Sequence, residues 1–93
     1  MIRDDRFRVE LLPSAARALV ALPDSIQRQI RDALHVLSRD PTPANSIPMA
    51  GKGVGLHRMR VGGYRIIYRI VVRRRVVLVM RMARRSQVYR GYE

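Results

Sequence analysis

The chain has 93 residues, of which 47% are hydrophobic and 28% charged, enough for a single domain over residues 1–93 and too little for two cores. It contains no cysteine, which excludes a disulfide framework and a zinc–thiolate centre, and His35 and His57 stand too far apart for metal-ligand spacing. No metal and no cofactor is expected. The formal net charge of +12 is lopsided: residues 1–46 carry seven basic and six acidic side chains, whereas residues 47–93 carry twelve basic and one acidic.

Of the 19 basic residues only Lys52 is a lysine. Arginine offers a planar fork that matches phosphate, where lysine offers a mobile point charge. A one-sided block of arginine points to a polyanion: RNA, DNA or an acidic protein. The N-terminus, Met1 to Arg8, is charged and lacks the apolar core of a secretory signal. The apolar run Val76 to Met80, which no other run exceeds, falls far short of the ~20 residues of a bilayer span. A soluble, cytoplasmic protein without membrane contact is the expectation.

In chain order, Arg6 to Leu11 alternates polar and apolar residues and predicts a half-buried strand. Ser14 is a candidate N-cap for a short helix running to about Leu22. Asp24, with Gln27 three residues on, forms a candidate capping box for a second helix. Ile26, Ile30, Ala33, Leu34 and Leu37 give that helix one apolar stripe, and Pro41 ends it near Asp40. The two helices are expected to pair as a hairpin packed on a sheet. Asp40 to Gly55, with three prolines and three glycines, reads as a loop.

From Leu56 the pattern is strand, turn, strand, turn, strand. A two-residue turn at Gly62-Gly63 fixes the register, pairing Val61 with Tyr64, Arg60 with Arg65, Arg58 with Ile67 and His57 with Tyr68. Paired residues share a face, and faces alternate along a strand. A three-residue loop at 73–75 then pairs Val72 with Val76, Tyr68 with Met80 and Ile67 with Arg81. One face carries His57, Met59, Val61, Tyr64, Ile66, Tyr68, Ile70, Val76, Leu78, Met80 and Met82, fit to receive the helices. The other carries Arg58, Arg60, Arg65, Ile67, Arg69 and Arg81. Like charges opposite one another are destabilising, so the Arg60–Arg65 pair suggests an anion between them. His57 falls on the core face as a structural histidine, and His35 on the second helix is structural or exposed. Ser86 to Glu93 has too little pattern to assign.

Leu22-Pro23, Arg58-x-Arg60-Val61-Gly62-Gly63-Tyr64-Arg65-Ile66-Ile67-Tyr68 and the closing Arg84-Arg85-Ser86-Gln87-Val88-Tyr89 resemble the RelE/ParE toxin superfamily over almost the whole chain. The resemblance implies an α+β fold, a small antiparallel sheet with an N-terminal helical hairpin on one face, in the order β-α-α-β-β-β. It further implies a type II toxin of the RelE branch, a ribosome-dependent endoribonuclease that cuts messenger RNA in the A site and so inhibits translation. In that chemistry the ribose 2′-hydroxyl attacks the adjacent phosphate, leaving a cyclic phosphate and a free 5′-hydroxyl. Arg65 matches the arginine on the scissile phosphate, Arg85 a second arginine supporting the transition state or the leaving group, and Tyr89 the tyrosine that stacks on, or hydrogen-bonds near, the cleaved nucleotide. Arg58, Arg60, Arg69, Arg81 and Arg84 are the expected RNA-binding set. The implied partners are a cognate antitoxin, the ribosome and messenger RNA.

Arg58 and Arg60 align with positions that are often lysines in the family. A lysine can lose its proton when its environment favours the neutral form, whereas an arginine does not. The general base is therefore unassigned, and the ribosome's positioning of the 2′-hydroxyl carries more of the expected catalysis. Two other readings share the fold: a ParE-like DNA gyrase inhibitor without nuclease activity, and a catalytically weak ribosome or RNA binder.

Overall fold

The computed structural model describes residues 6–92; Met1–Asp5, part of the charged N-terminal stretch, and Glu93 lie outside them. The elements are β1 (Arg8–Leu11), α1 (Pro13–Val20), α2 (Asp24–Arg39), β2 (Ser46–Pro48), β3 (His57–Val61), β4 (Tyr64–Val71) and β5 (Val76–Arg84). Short 3-10 turns occupy Gly51–Gly53 and Val72–Arg74. The strands form one five-stranded sheet in the order β1-β5-β4-β3-β2.

The α+β class and the helix pair on one face are as the sequence predicts. The sheet is mixed, because β1 lies parallel to β5, pairing Arg8 with Val76 and Leu11 with Val79. Alternation in β1 shows that one side is buried, but it says nothing about which strand stands beside it. β2 is an additional edge strand, and Pro48, which cannot donate to a ladder, is tolerated there.

Both helices begin before the predicted caps, α1 by two residues and α2 by one. Leu12 is the N-cap of α1, with Pro13 in the first turn, where its fixed φ suits the helix and its missing N–H is not needed. Pro23, not Asp24, caps α2, and no side chain caps it. Gln27 turns backward instead, donating from Nε2 to the carbonyls of Val20 and Leu22 at 3.2 Å each. It thereby closes the end of α1 and fixes the turn between the helices. The predicted stripe does face the sheet: Ile30, Ala33 and Leu37 are buried, and Ile26 and Leu34 pack beside them.

The β3–β4 hairpin has the predicted register at all five pairs, from Val61↔Tyr64 to His57↔Tyr68. Its turn uses Gly62 at φ +57°, while Gly63 is outside the positive-φ region. A left-handed first turn residue suits the right-handed twist of the strands. Gly62→Ala is expected to lower stability by about 1 kcal/mol or more. Gly63→Ala, whose new Cβ meets nothing within 4 Å, should stay within about 0.5 kcal/mol. Urea melts of the two variants check this asymmetry.

The β4–β5 hairpin departs from expectation near its turn. Val71, not Val72, pairs with Val76, and Tyr68 pairs with Val79, while Ile67 still pairs with Arg81. The mismatch is a β-bulge that leaves Met80 as the extra residue. As a result Val77, Val79 and Met82 join the main core, and Val76, Leu78 and Met80 do not. An unbroken strand would set Arg81 on the same face as Val77 and Val79. The bulge reverses the alternation there and keeps a guanidinium out of the core.

The opposite face has its own small core. Leu56, Ile67 and Val88 are buried together, flanked by Met49, Met80, Ala83, Tyr89 and Tyr92. The segment after β5 therefore folds back over the face that carries the arginines. Its start is pinned where the Arg85 backbone N–H donates to the Gly63 carbonyl at 2.9 Å.

Candidate functional site

Where the returning segment meets the β2 edge, the outer face opens into a cleft of about 330 Å³. Arg58, Arg60 and Arg65 come from the β3–β4 hairpin, Arg85 and Tyr89 from the returning segment, and Ala44, Asn45 and Ile47 from the β2 strand and its approach. Among the described residues, four guanidinium groups line it and no carboxylate does, so its field concentrates anions.

Each arginine is held differently. Arg65 is nearly buried at 9% exposure, and its Nη1 donates to the Gly62 and Tyr64 carbonyls at 2.8 Å each. Those carbonyls orient the fork and offset part of its charge, which accounts physically for how Arg65 can sit opposite Arg60. The rest of its donors are left for an anion. Arg58 Nη1 donates to the Tyr89 hydroxyl at 3.2 Å, and its guanidinium lies 5.5 Å from the centre of that ring. Arg60 is exposed, and both its backbone groups bond to Asn45: Asn45 Nδ2 donates to the Arg60 carbonyl at 2.7 Å, and Arg60 N donates to the Asn45 carbonyl at 3.0 Å. Arrayed this way, guanidinium groups stabilise the charge that develops on a phosphorus centre under attack more than the charge of the resting diester.

Along residues 9–89 the chain matches a family model described as the ParE toxin of a type II toxin–antitoxin system. The chain belongs to the RelE/ParE superfamily of type II toxins. Among solved structures, the toxin is similar to the archaeal RelE–RelB complex from Pyrococcus horikoshii OT3, at 26% identity over 89% of this chain and 99% of that one, with a TM-score of 0.77. It is similar also to the RelBE2 toxin–antitoxin complex from Mycobacterium tuberculosis, at 28% identity, with 86% and 99% coverage and a TM-score of 0.78. The isolated E. coli RelE toxin, at 19% identity, with 91% and 93% coverage and a TM-score of 0.73, shares the fold. No curated protein sequence matches the chain.

In this toxin the residues singled out from sequence divide into two groups. Arg58, Arg60, Arg65, Arg85 and Tyr89 converge on the cleft, although Arg85 and Tyr89 are twenty or more residues from the others. Arg69, Arg81 and Arg84 do not line it. Arg69 is exposed beside Leu78, and Arg84 pairs with Tyr64, on the helix side of the sheet. Arg81 is turned toward the returning segment, donating from Nη1 to the Val88 carbonyl at 3.0 Å and to the Arg90 carbonyl. Ala44, Asn45 and Ile47 were missed, because their only signal is a three-residue strand interrupted by proline.

His57 lies on the helix side, stacked on Tyr68 with ring centres 5.5 Å apart, as expected of a structural histidine. Its Nδ1 is buried without a partner among the described residues. The Tyr68 hydroxyl donates to the Pro41 carbonyl at 2.6 Å, and burial pushes its phenol above the ordinary value. Neither group lines the cleft. His35 is exposed on α2. No group of three or more His, Cys, Asp or Glu side chains among the described residues could hold a metal. No helix among them is long and apolar enough to cross a membrane.

Proposed function

We propose that this toxin is a ribosome-dependent endoribonuclease that cleaves messenger RNA in the A site and so stops translation. The observation that carries the reading is the convergence of Arg65, Arg85 and Tyr89 on one cleft whose remaining charged residues are Arg58 and Arg60. Arg65 binds the scissile phosphate, Arg85 neutralises the charge gained in the transition state, and Tyr89 meets the nucleotide at the cut. The 2′-oxygen bonds to phosphorus as the 5′-oxygen leaves, giving a cyclic phosphate and a 5′-hydroxyl. None of the cleft arginines acts as base, so the 2′-hydroxyl proton passes to water, and the leaving 5′-oxygen takes a proton from water in turn. This chain contributes charge stabilisation and the ribosome contributes alignment.

The partner that restrains such a toxin is a cognate antitoxin. The solved Pyrococcus and Mycobacterium relatives are toxin–antitoxin complexes, and the strongly basic half of this chain favours an acidic or amphipathic partner segment.

A gyrase-directed activity is the second reading, favoured by the ParE description of the matching family model. A catalytically weak RNA or ribosome binder is a further outcome, given arginine at 58 and 60. Purified toxin added to programmed ribosomes should generate new 5′-hydroxyl ends within the message, and a parallel supercoiling assay should show no gyrase inhibition. Gyrase inhibition without new ends would replace the ribonuclease reading; binding without either would leave only the weak binder.

Tyr89→Phe separates two roles of that side chain. Base–aromatic stacking is worth about 1–3 kcal/mol and needs no hydroxyl. If Tyr89 stacks, the phenylalanine variant keeps its cleavage rate to within a few fold. A loss of about 10²-fold, the lower end for a proton-transfer group, assigns the hydroxyl to proton donation instead.

A further inference from the structure

The returning segment after β5 holds Arg85 and Tyr89, yet it joins no strand ladder. One side chain beneath Tyr89 bonds the backbone on both sides of it. Arg81 stands on the outer face of β5, opposite Ile67, where the bulge has turned it. Its Nη1 donates to the carbonyls of Val88 and Arg90, the residues on either side of Tyr89. Its guanidinium also lies 5.0 Å from the centre of the Tyr92 ring. Val88 is fully buried, and Tyr92 N donates to the Tyr89 carbonyl at 2.9 Å. Two carbonyls held by this one nitrogen tie down the backbone on both sides of Tyr89, whose hydroxyl accepts from Arg58.

We propose that Arg81 is a positioning residue for the cleft: it contacts no RNA, and it sets Tyr89 by clamping the backbone on either side of it. The catalytic part of this rests on the ribonuclease reading; the positioning of Tyr89 does not. Sequence alone assigns Arg81 to the RNA-binding surface, and the two roles differ in what they ask of the side chain. Binding phosphate by charge is a task that lysine performs as a point charge. Arg81 reaches both carbonyls through Nη1 while its guanidinium plane packs over the Tyr92 ring; lysine ends one bond short of Nη1 and has no plane to lay on that ring. The charge-preserving variant therefore separates them.

The experiment compares Arg81→Lys, Arg81→Met and Tyr92→Leu in the full chain, with circular dichroism to check folding. Two-dimensional NMR of the Tyr89 ring, without RNA, reads its contact with Arg58. Single-turnover cleavage on programmed ribosomes reads kcat and KM separately. Arg81→Lys is expected to shift the Tyr89 ring signals, to weaken the contact with Arg58, and to lower kcat about 10- to 100-fold as a misplacement effect with KM little changed. Arg81→Met should match it, and Tyr92→Leu should move the same signals less. In a Tyr89→Ala background, Arg81→Lys should cost little more, because the two residues act as one unit.

Wild-type ring signals and cleavage in Arg81→Lys, with a salt-dependent rise in KM in Arg81→Met, would overturn the proposal and return Arg81 to RNA contact. So would equal losses from Arg81→Lys with and without Tyr89. If the wild-type toxin cuts no message, the ribonuclease reading fails, and the ring signals alone decide the positioning role.

Discussion

Arg65→Ala is expected to reduce cleavage on programmed ribosomes by about 10²–10³-fold, the range seen when one preorganised donor to a developing oxyanion is removed. Arg65 is the innermost guanidinium of the cleft, and its plane is set by two hairpin carbonyls rather than by solvent. Orientation completed before substrate arrives is what makes a donor effective at the transition state. The same bonds give the substitution a structural cost of about 1.5–3 kcal/mol, typical of lost hydrogen bonds to a charged group. A domain of this size is ordinarily stable by about 5–15 kcal/mol, so the variant remains folded. Rate and stability therefore report separately. Counts of new 5′-hydroxyl ends measure the first, and a thermal melt measures the second. An unimpaired rate in a folded variant would remove Arg65 from the chemistry. Arg65→Lys should recover little, because an ammonium cannot hold both carbonyls and a phosphate in one plane.

The second large effect falls on Ile67. By alternation it sits among the arginines, and on an ordinary solvated face its truncation would change stability by no more than about 0.5 kcal/mol. In the structure Ile67 is fully buried against Leu56 and Val88. Ile67→Ala should therefore cost about 2–5 kcal/mol, through lost apolar burial and the cavity left behind. At about 4–8 °C per kcal/mol for a domain of this size, Tm should fall by roughly 8 °C or more. The returning segment loses its apolar floor in the same variant, so trypsin should cut after Arg85 and Arg90 sooner than in the wild type. A melt within a degree or two of wild type would mean that the segment does not pack on the sheet. Ile67→Val, at about 0.5–1.5 kcal/mol, is the graded control.

These two substitutions define the cleft's construction. The outer face of the sheet is an apolar patch with a charged rim, not a continuous field of arginine. Val88 fastens the returning segment to the patch, and Arg85 and Tyr89 are thereby delivered to the rim. Arg69, although on the same face, lies outside the cleft and is left to solvent.

Much of this was written in the order of residues. Alternation and a two-glycine turn determine the β3–β4 register, because a hairpin of fixed loop length admits one pairing and a period of two assigns every side chain a face. That places Arg58, Arg60 and Arg65 on the cleft side and His57 on the helix side, as observed. The α2 stripe is equally local, since spacing on a helix fixes which residues share a face. Tertiary structure decided the rest. The bulge at Met80 arises from the need to bury Val77 and Val79 while leaving Arg81 outside, a conflict between neighbours that alternation alone cannot resolve. Gln27 could cap its own helix or close the one before it, and only the packing of α1 against α2 selects the second. The place of β1 beside β5 and the edge strand at Ser46–Pro48 depend on contacts between distant segments, and short strands carry no mark of their partners. The net charge of +12 gave the expectation of a polyanion, and the motifs singled out five residues that the fold brings to one cleft. Which arginines line that cleft, and which one bonds the returning segment, followed from where the chain turns back on itself.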